Sequence, residues 1–305
     1  MQQKTTKLIV NPNADLGRAW RYAADLRSVV EESGGADWTG TVYPTHAIEL
    51  ARQAAEDGYE NVIAVGGDGT VHEVINGLLQ AQVEKPPRLG IVPLGTGNDF
   101  AHSLGLPKTP SEALRQTMNG QPKRIDVGLL RDERGRREFW NNTLGIGFDT
   151  LVTLRSRQIP ILSGFLVYLV SVIQTILLDH HPMQMKFGMD GENRASDVLM
   201  MVLCNGGWEG GGFRMAPGAR PDDQQLEYVY VGSISRARMF RLLPEVIRGT
   251  HLRFPEVHHG HFKHMTIESD RPMYIHTDGE IFSGFGSKVY SIEIEILPGI
   301  LEVLV

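Results

Sequence analysis

Two glycine-rich runs carry residues whose types and spacing could do chemistry: Gly66-Gly67-Asp68-Gly69-Thr70, and Pro93-Leu94-Gly95-Thr96-Gly97-Asn98-Asp99-Phe100-Ala101. Each follows a strand-like apolar run, at 61–65 and 89–92, and each opens a helical pattern. Strand, glycine loop and helix together make a device for holding phosphate. The glycines let the backbone turn tightly and approach a ligand, because no Cβ stands in the way. Amides at a helix start, on the positive end of the dipole, favour an anion. Asp68 points further, since a carboxylate beside phosphates repels them unless a divalent cation sits between. A third run, Asn11-Pro12-Asn13-Ala14, ends the first strand-like segment. In a parallel sheet all three loops would share the carboxyl edge, where ligands bind. The chemistry these residues suit is binding of a nucleoside triphosphate and transfer of its terminal phosphoryl group to an alcohol.

Other motifs fail. No G-x-x-x-x-G-K-[ST] occurs, and no G-x-G-x-x-G follows an early strand, so the P-loop and the dinucleotide fingerprint are both absent. His72-Glu73-Val74-Ile75-Asn76 begins like a zinc-protease helix, but Asn76 stands where the second histidine belongs. The histidines at 251, 258, 259, 261, 264 and 276 lack cysteine or carboxylate partners at a fixed zinc-site spacing.

The elements that must position the loops follow from periodicity. Residues 7–10 read as a buried strand that Pro12 stops. Residues 18–33 set Trp20, Ala23, Leu26 and Val30 at helical spacing, closed by Gly34-Gly35. A strand near 39–43 and a helix near 47–56 follow. After the first glycine loop, Val71, Val74, Ile75, Leu78 and Leu79 trace one helical stripe, and a short helix is predicted at about 98–104. Alternating strands and helices imply a parallel sheet covered on both faces. Beyond Ile125 the rhythm changes to strands, at 125–130, 138–144, 183–189, 198–203, 226–231, 265–268, 273–276 and 289–297. Helices are predicted there only at about 160–179 and 235–248. The fold class is therefore α/β, with an N-terminal parallel-sheet domain and a C-terminal β-sandwich. The domains span 1–124 and 125–297, and a closing strand in 298–305 is expected to return to the first.

Composition narrows the setting. The chain has 305 residues, long enough for two cores, and a formal net charge of −6, which does not favour nucleic acid. One cysteine, Cys204, leaves no disulfide framework and fits a reducing cytosol. The first residues contain no apolar run of signal-peptide length. The apolar stretch 159–178 is interrupted by Pro160, Ser163, Gly164, Ser171 and Gln174, so it reads as a buried or interfacial helix and not a span. Arg236, Arg238, Arg241, Arg248 and Arg253 recur with only Glu245 among them, a solvated face or an attraction for anionic head groups.

The two glycine motifs, with Glu73, Asn76 and Gly77, resemble the diacylglycerol kinase catalytic-domain family, which includes bacterial soluble lipid kinases and the sphingosine and ceramide kinases. The likeness continues through Ile125-Asp126-Val127-Gly128, Gly145-Ile146-Gly147-Phe148-Asp149, Ala216-Pro217-Gly218-Ala219 and Asp278-Gly279-Glu280, nearly the whole chain. The glycine–aspartate loop is shared with NAD kinases and phosphofructokinases, whereas the motif at 95–100 is far more specific.

The resemblance implies an α/β nucleotide-binding domain, a β-rich lipid-substrate domain and a cleft between them. It implies ATP as phosphoryl donor, Mg²⁺, and a lipid hydroxyl such as that of diacylglycerol as acceptor. Nucleotide contacts fall on Asn11, Pro12, Asn13, Ala14, Asp15, Thr45, Gly66, Gly67, Asp68, Gly69, Thr70, Val71, His72 and Thr96. Glu280 matches the general base. Asp68 and Asp99 would organise catalytic Mg²⁺, with Asp126 and Asp278 in support. A structural Mg²⁺ site falls on Asp223 with the backbones of Arg220 and Gln225. Two departures matter: Asp15 stands where the first loop usually has glycine, which reshapes that phosphate contact, and Gln224 stands at another glycine position, where a turn would need φ > 0. The implied setting is cytoplasmic, on the inner face of a membrane without spanning it, with room for a homodimer. Two other readings stay open: another small-molecule kinase of the NAD-kinase kind, and a catalytically silent lipid-binding regulator.

Overall fold

The computed structural model describes residues 5–17, 19–159 and 164–305, so Arg18 and the start of the predicted 160–179 helix lie outside the described residues. The chain divides into two compact units, Met1–Ile125 with Gly299–Val305, and Asp126–Pro298.

In the first unit, β1 (Thr6–Val10), β2 (Asp37–Gly40), β3 (Asn61–Gly66) and β4 (Arg88–Pro93) pair in parallel in the order β2-β1-β3-β4. The central strands are aliphatic along their whole length because helices cover both faces, so Val62, Ile63, Ala64 and Val65 are all buried. The helices are α1 (Ala14–Gly17), α2 (Ala23–Glu32), α3 (His46–Glu56), α4 (Asp68–Gln80), α5 (Asp99–Ser103) and α6 (Pro110–Asn119). The sequence reading contains no α6, whose polar surface masks its apolar face. Pro110 starts it at a position where a missing N–H costs nothing, and Ala113, Leu114 and Thr117 bury against the rest of the unit. In the chain's last strand Val303 pairs in parallel with Leu89. Glu302 beside it gathers Lys85 at 2.9 Å and Arg88 at 3.5 Å, and Lys85 above all holds its carboxyl below the usual range.

The second unit is built from β5 (Pro122–Asp132), β6 (Arg137–Trp140), β7 (Thr143–Gly147), α7 (Phe148–Ser156), α8 (Phe165–Leu178), β8 (Met183–Met189), β9 (Glu192–Cys204), β10 (Leu226–Gly232), α9 (Arg236–Arg248), β11 (Val257–Phe262), β12 (His264–Ser269), β13 (Ile275–Thr277), β14 (Glu280–Ser283) and β15 (Ser291–Leu304). The chain passes between units within β5 and again within β15. β9 is the organiser. Its first half pairs antiparallel with β8, and its second half with β7 on one edge and β10 on the other. The core includes Trp140, Phe187, Met201 and Phe262, all fully buried.

Three expectations are corrected. The run 138–144 is two strands, broken at Asn141 and Asn142, whose amides turn towards Asp278. The runs 289–297 and 301–305 are one strand, continuous through Pro298 and Gly299. Residues 148–156 form α7, which the sequence reading passes over. Its Thr150, Val152 and Thr153 are β-branched and weak helix formers, but all three are buried, and packing overrides propensity.

Candidate active site

The loops of the first unit leave one sheet edge together. Gly66 is in register with Pro93, and Val10 with Val65. Asn11 N–H donates to Val65 O at 2.9 Å, and Leu94 N–H to Gly66 O at 2.8 Å. Asn11 then ties the first loop to the second, its Nδ2 donating to Thr70 Oγ1 at 3.0 Å while its Oδ1 accepts Asn13 N–H. The glycines are required by contact: a Cβ on Gly67 would stand 2.9 Å from Gly95 Cα. Asp68 Oδ1 accepts Phe100 N–H at 3.2 Å, bridging the two glycine loops at the start of α5. Its other oxygen converges with Asp99. The point that a Cβ of Gly97 would occupy lies 3.0 Å from Asp68 Oδ2 and 3.3 Å from Asp99 Oδ2. Two carboxylate oxygens aimed at one small space beside a glycine loop suit a hard divalent cation.

The remaining loop residues sort by exposure. Thr96 is exposed and Asn13 reaches solvent, whereas Val71 and His72 are buried in α4. The amides of Thr70 and Val71 close onto Gly67 O. His72 packs beside Asn76, whose Nδ2 donates to His72 O at 3.0 Å and lies 3.3 Å from its Nε2. Asp15 takes φ 50°, the left-handed conformation its glycine-like position demands. Thr45 does the same at φ 71°, and its N–H and that of Ala47 are taken by the Glu73 carboxylate at 2.9 and 3.1 Å. Glu73, assigned no role from sequence, thereby joins α4 to the start of α3.

In the second unit the carboxylates divide by what holds them. Asp278, left-handed at φ 52°, accepts three backbone amides: Asn142 at 2.8 Å, Thr143 at 3.0 Å and Asn141 at 3.0 Å. It is a buried clamp on the β6–β7 turn. Asp126 is buried and accepts Gln224 N–H at 2.7 Å. Asp223 Oδ1 accepts the next amide, Gln225 N–H, at 3.1 Å. Gln224 itself adopts φ 64°, so the turn that the family builds with glycine forms here with glutamine, held by Asp126. Glu227 lies near this turn. Burial first, and the Asp223 charge after the opposing effect of His261, push its carboxyl up. A cation held by Asp223 would relieve that repulsion, so the residues present fit the expected metal loop. Glu280 is half-exposed, and Arg157 at the end of α7 donates to its Oε2 at 2.7 Å and to Gly279 O at 2.7 Å.

One cluster was not anticipated. His276, fully buried on β13, directs Nε2 to Asp149 Oδ2 at 2.7 Å and Glu209 Oε1 at 3.2 Å. Gly145 is a close-approach position, because a Cβ there would overlap Asp149 Oδ2 and His276 Nε2. Burial opposes the imidazolium, but Asp149 and Glu209 outweigh it and push His276 up to about 10. Burial and the Asp149 charge likewise push Glu209 up, against its hydrogen bonds to His276 and Thr143. The three ligand-type atoms lie within 4.8 Å of one another. Gly279 N–H approaches Nδ1 at 3.2 Å, and Nε2 keeps its proton facing the carboxylates. A metal on Nε2 would have to displace that proton, so the trio is a hydrogen-bonded unit.

Comparison with known proteins agrees with this arrangement. The profile of the diacylglycerol kinase catalytic domain matches residues 5–130, and that of the YegS C-terminal NAD kinase beta sandwich-like domain matches residues 142–305. A Chromohalobacter salexigens protein named "Probable lipid kinase YegS-like" is 34% identical over 236 residues, 76% of this chain and 73% of its own. The chain belongs to the diacylglycerol kinase catalytic-domain family. A diacylglycerol kinase of Mycobacterium tuberculosis is 29% identical over 85% of this chain and 81% of its own. The crystal structure of a diacylglycerol kinase from Bacillus anthracis str. Sterne superimposes with a TM-score of 0.73 at 21% identity, covering 100% of this chain and 97% of that one, which shows the shared fold.

The sequence motifs marked Asp149 and His276 only as parts of a likeness and a histidine list. Glu209 carried no signal, because its partners are 60 or more positions away and only the fold brings them together.

Proposed function

We propose that the protein is a lipid kinase that transfers the γ-phosphoryl group of ATP, with Mg²⁺, to a hydroxyl of a membrane lipid, diacylglycerol being the acceptor its relatives' names suggest. The observation that carries this reading is the pairing of the two glycine loops through Gly67, Gly95 and the Asp68–Phe100 bond, with Asp68 and Asp99 converging beside them. In the transfer, the bond from the γ-phosphorus to its bridging oxygen breaks, and a bond to the lipid oxygen forms. ADP leaves, and the hydroxyl proton passes to Glu280. Asp68 and Asp99 would hold Mg²⁺, which when bound neutralises phosphate charge. Arg157 fixes the orientation of Glu280, and Asp278 fixes the turn that carries it. A separate structural Mg²⁺ would rest on Asp223 with the Arg220 and Gln225 carbonyls.

The acceptor is embedded in a bilayer, so the protein works at the inner membrane face. Among the described residues no helix is long and apolar enough to cross a membrane. The exposed apolar residues of α8 and the exposed Arg241 and Arg248 of α9 support a peripheral attachment.

The test is transfer of labelled phosphate from ATP to lipids in mixed micelles, with Asp68→Asn alongside. That variant keeps an oxygen for Phe100 N–H and loses the charge. Turnover should fall by roughly a hundredfold or more while the melting temperature moves by only about 2 °C. Undiminished turnover would remove Asp68 from the mechanism, and labelling of a soluble acceptor but no lipid would refute the lipid reading.

A further inference from the structure

The hairpin between β5 and β6 meets the loop between β14 and β15 in the second unit, and each orders the other. Glu133 accepts Tyr290 N–H at 3.0 Å and Ser291 N–H at 3.3 Å. Arg134 donates to Lys288 O at 3.1 Å. Arg136 donates to Phe282 O at 3.3 Å, and its guanidinium lies 4.4 Å from the Phe282 ring centre. Within the loop, Ser287 N–H closes onto Gly284 O at 3.0 Å, and the Ser283 and Ser287 hydroxyls bond at 2.6 Å. Residues 284–287 are thus a β-turn, and Gly286 at φ 79° supplies the positive φ of its third residue.

Phe285 occupies the corner of that turn and is 68% exposed, the most exposed aromatic side chain among the described residues. A lone exposed phenylalanine would mean little. This one is held outward: the turn fixes its backbone, Tyr274 braces its ring edge-on at 5.7 Å, and the exposed Tyr290 ends the same loop. The hairpin and loop also carry Arg134, Arg136, Arg137 and Lys288, all exposed, against only Asp132 and Glu133 at the hairpin tip. Arg136 pairs with Asp132, whereas Arg134, Arg137 and Lys288 form no ion pair among the described residues.

An aromatic ring on a pre-ordered turn, flanked by unpaired cations, fits an anionic bilayer surface. The ring enters the head-group boundary at little ordering cost, and the cations meet phosphate outside it. A stable protein interface buries roughly 800 Å² per partner around an apolar centre, which one ring among charges does not offer. Position adds to chemistry. β14 begins at Glu280, so Phe285 stands within roughly 18 Å of the proposed base, the reach of five extended residues.

Resting on the lipid-kinase reading, we propose that the Phe285 turn is a second membrane contact, distinct from α8 and α9, whose partner is an anionic head-group layer. It holds the strand that starts at Glu280 against the layer that carries the acceptor hydroxyl. A single ring is a weak anchor, and stable peripheral attachment takes two signals, so the turn acts on a surface that α8 already holds.

The experiment uses the full-length protein with vesicles of phosphatidylcholine, alone or mixed with phosphatidylglycerol. Cys204 is fully buried, so after Phe285→Cys a thiol-reactive, polarity-sensitive dye labels position 285 selectively. Its emission should shift to the blue on the mixed vesicles. Phe285→Ser should weaken affinity for both vesicles by roughly fivefold to tenfold. Arg137→Gln with Lys288→Gln should remove roughly tenfold of the preference for anionic vesicles at low salt, and little at high salt. Transfer to a long-chain diacylglycerol in vesicles should fall in Phe285→Ser, whereas transfer to a monomeric short-chain one should not, which separates a lost anchor from a damaged site. An unshifted dye overturns the proposal, as does Phe285→Ser binding like its parent. An acidic protein as the partner of this patch would give both of those results. An unchanged preference in the charge variant overturns the anionic assignment. The kinase reading survives all three wherever lipid is still phosphorylated. Should no lipid be phosphorylated, that reading fails on its own, and the dye and the affinities still decide the turn: a blue shift with weakened binding of Phe285→Ser upholds it.

Discussion

A Cβ placed on Gly95 would stand 2.5 Å from the Cα of Gly67, closer than any side chain tolerates. Backbone therefore meets backbone where the two glycine loops cross, and Asn98 locks the contact by accepting Gly95 N–H and donating to Gly95 O, each at 2.8 Å. Gly95→Ala must push the loops apart. A loss of about 1–3 kcal/mol in stability is expected from such overpacking. Affinity for a non-hydrolysable ATP analogue, measured by calorimetry, should fall at least about tenfold, since close backbone approach is what the loops offer a phosphate. Unaltered melting and affinity would mean that the loops have slack.

Asp223 and Gln224 give a separate test in metal binding. The turn is formed without its usual glycine, and Asp223 and Glu227 repel across it. A cation bound only by the folded state stabilises it in proportion to the logarithm of its concentration over Kd. Millimolar Mg²⁺ should raise the melting temperature, and chelation should lower it. In Asp223→Asn the Mg²⁺ response should vanish, while the metal-free protein melts no lower than its parent because the repulsion has gone. A melting curve indifferent to Mg²⁺ would leave this loop without a metal role.

Much of this architecture is legible in the chain, and the failures share a cause. The parallel strands are read correctly because both faces are buried and the aliphatic runs are unbroken, as in β3. The positive φ at Gln224 follows from where glycine would stand, and Asp15 adopts one too. What sequence hides is partnership across distance. Asp278 looks like a supporting carboxylate of the reaction, yet its oxygens are taken by the amides of Asn141, Asn142 and Thr143, more than 130 positions earlier. Arg157 and Glu209 sit in segments of no evident pattern and gain meaning only from Glu280 and His276. The arginine run from α9 to Arg253 also reads differently once folded. Arg238 pairs with Glu256, Arg253 with Glu245, and Arg236 caps Ile176 O at the end of α8, so local charge density overstated the free cation.

The His276 trio makes stability depend on pH in a defined direction. His276 is raised from an ordinary 6.5 to about 10, and Glu209 is raised as well, so the folded state holds protons more tightly than the unfolded chain. The stabilisation from His276 is then complete below about 6.5 and is lost as pH climbs through about 10. Glu209 acts with the same sign, from its own unfolded value upward. The melting temperature should fall between pH 7 and pH 10. Glu209→Gln, which removes one of the two groups holding the ring's proton, should flatten that fall. An identical pH slope in both proteins, followed by circular dichroism, would show that the trio does not titrate in this window.

The last prediction concerns the membrane. On α8, Leu166, Val170, Ile173 and Leu177 recur at spacings of four, three and four, which places them along one helical face. Leu166 and Leu177 are each 56% exposed, and Leu178 is 60% exposed, whereas Val167, Ser171 and Thr175 on another face are buried. The helix thus packs by one side and offers the other, and Arg236 of α9 binds its final turn. Arg241 and Arg248 of α9 are exposed, as is Phe240. An apolar stripe alongside basic residues suits insertion at the head-group boundary, where buried area supplies the short-range attraction and charge the long-range part. The charge part is screened over about 8 Å at physiological salt. Vesicle co-sedimentation separates the two contributions. Leu166→Glu with Leu177→Glu should abolish binding at any salt. Arg241→Glu with Arg248→Glu should weaken only the part that rises with anionic lipid and falls with salt. Binding that ignores both pairs would place the membrane face elsewhere on the protein, and no binding by the parent protein would end the proposal that it works at a bilayer.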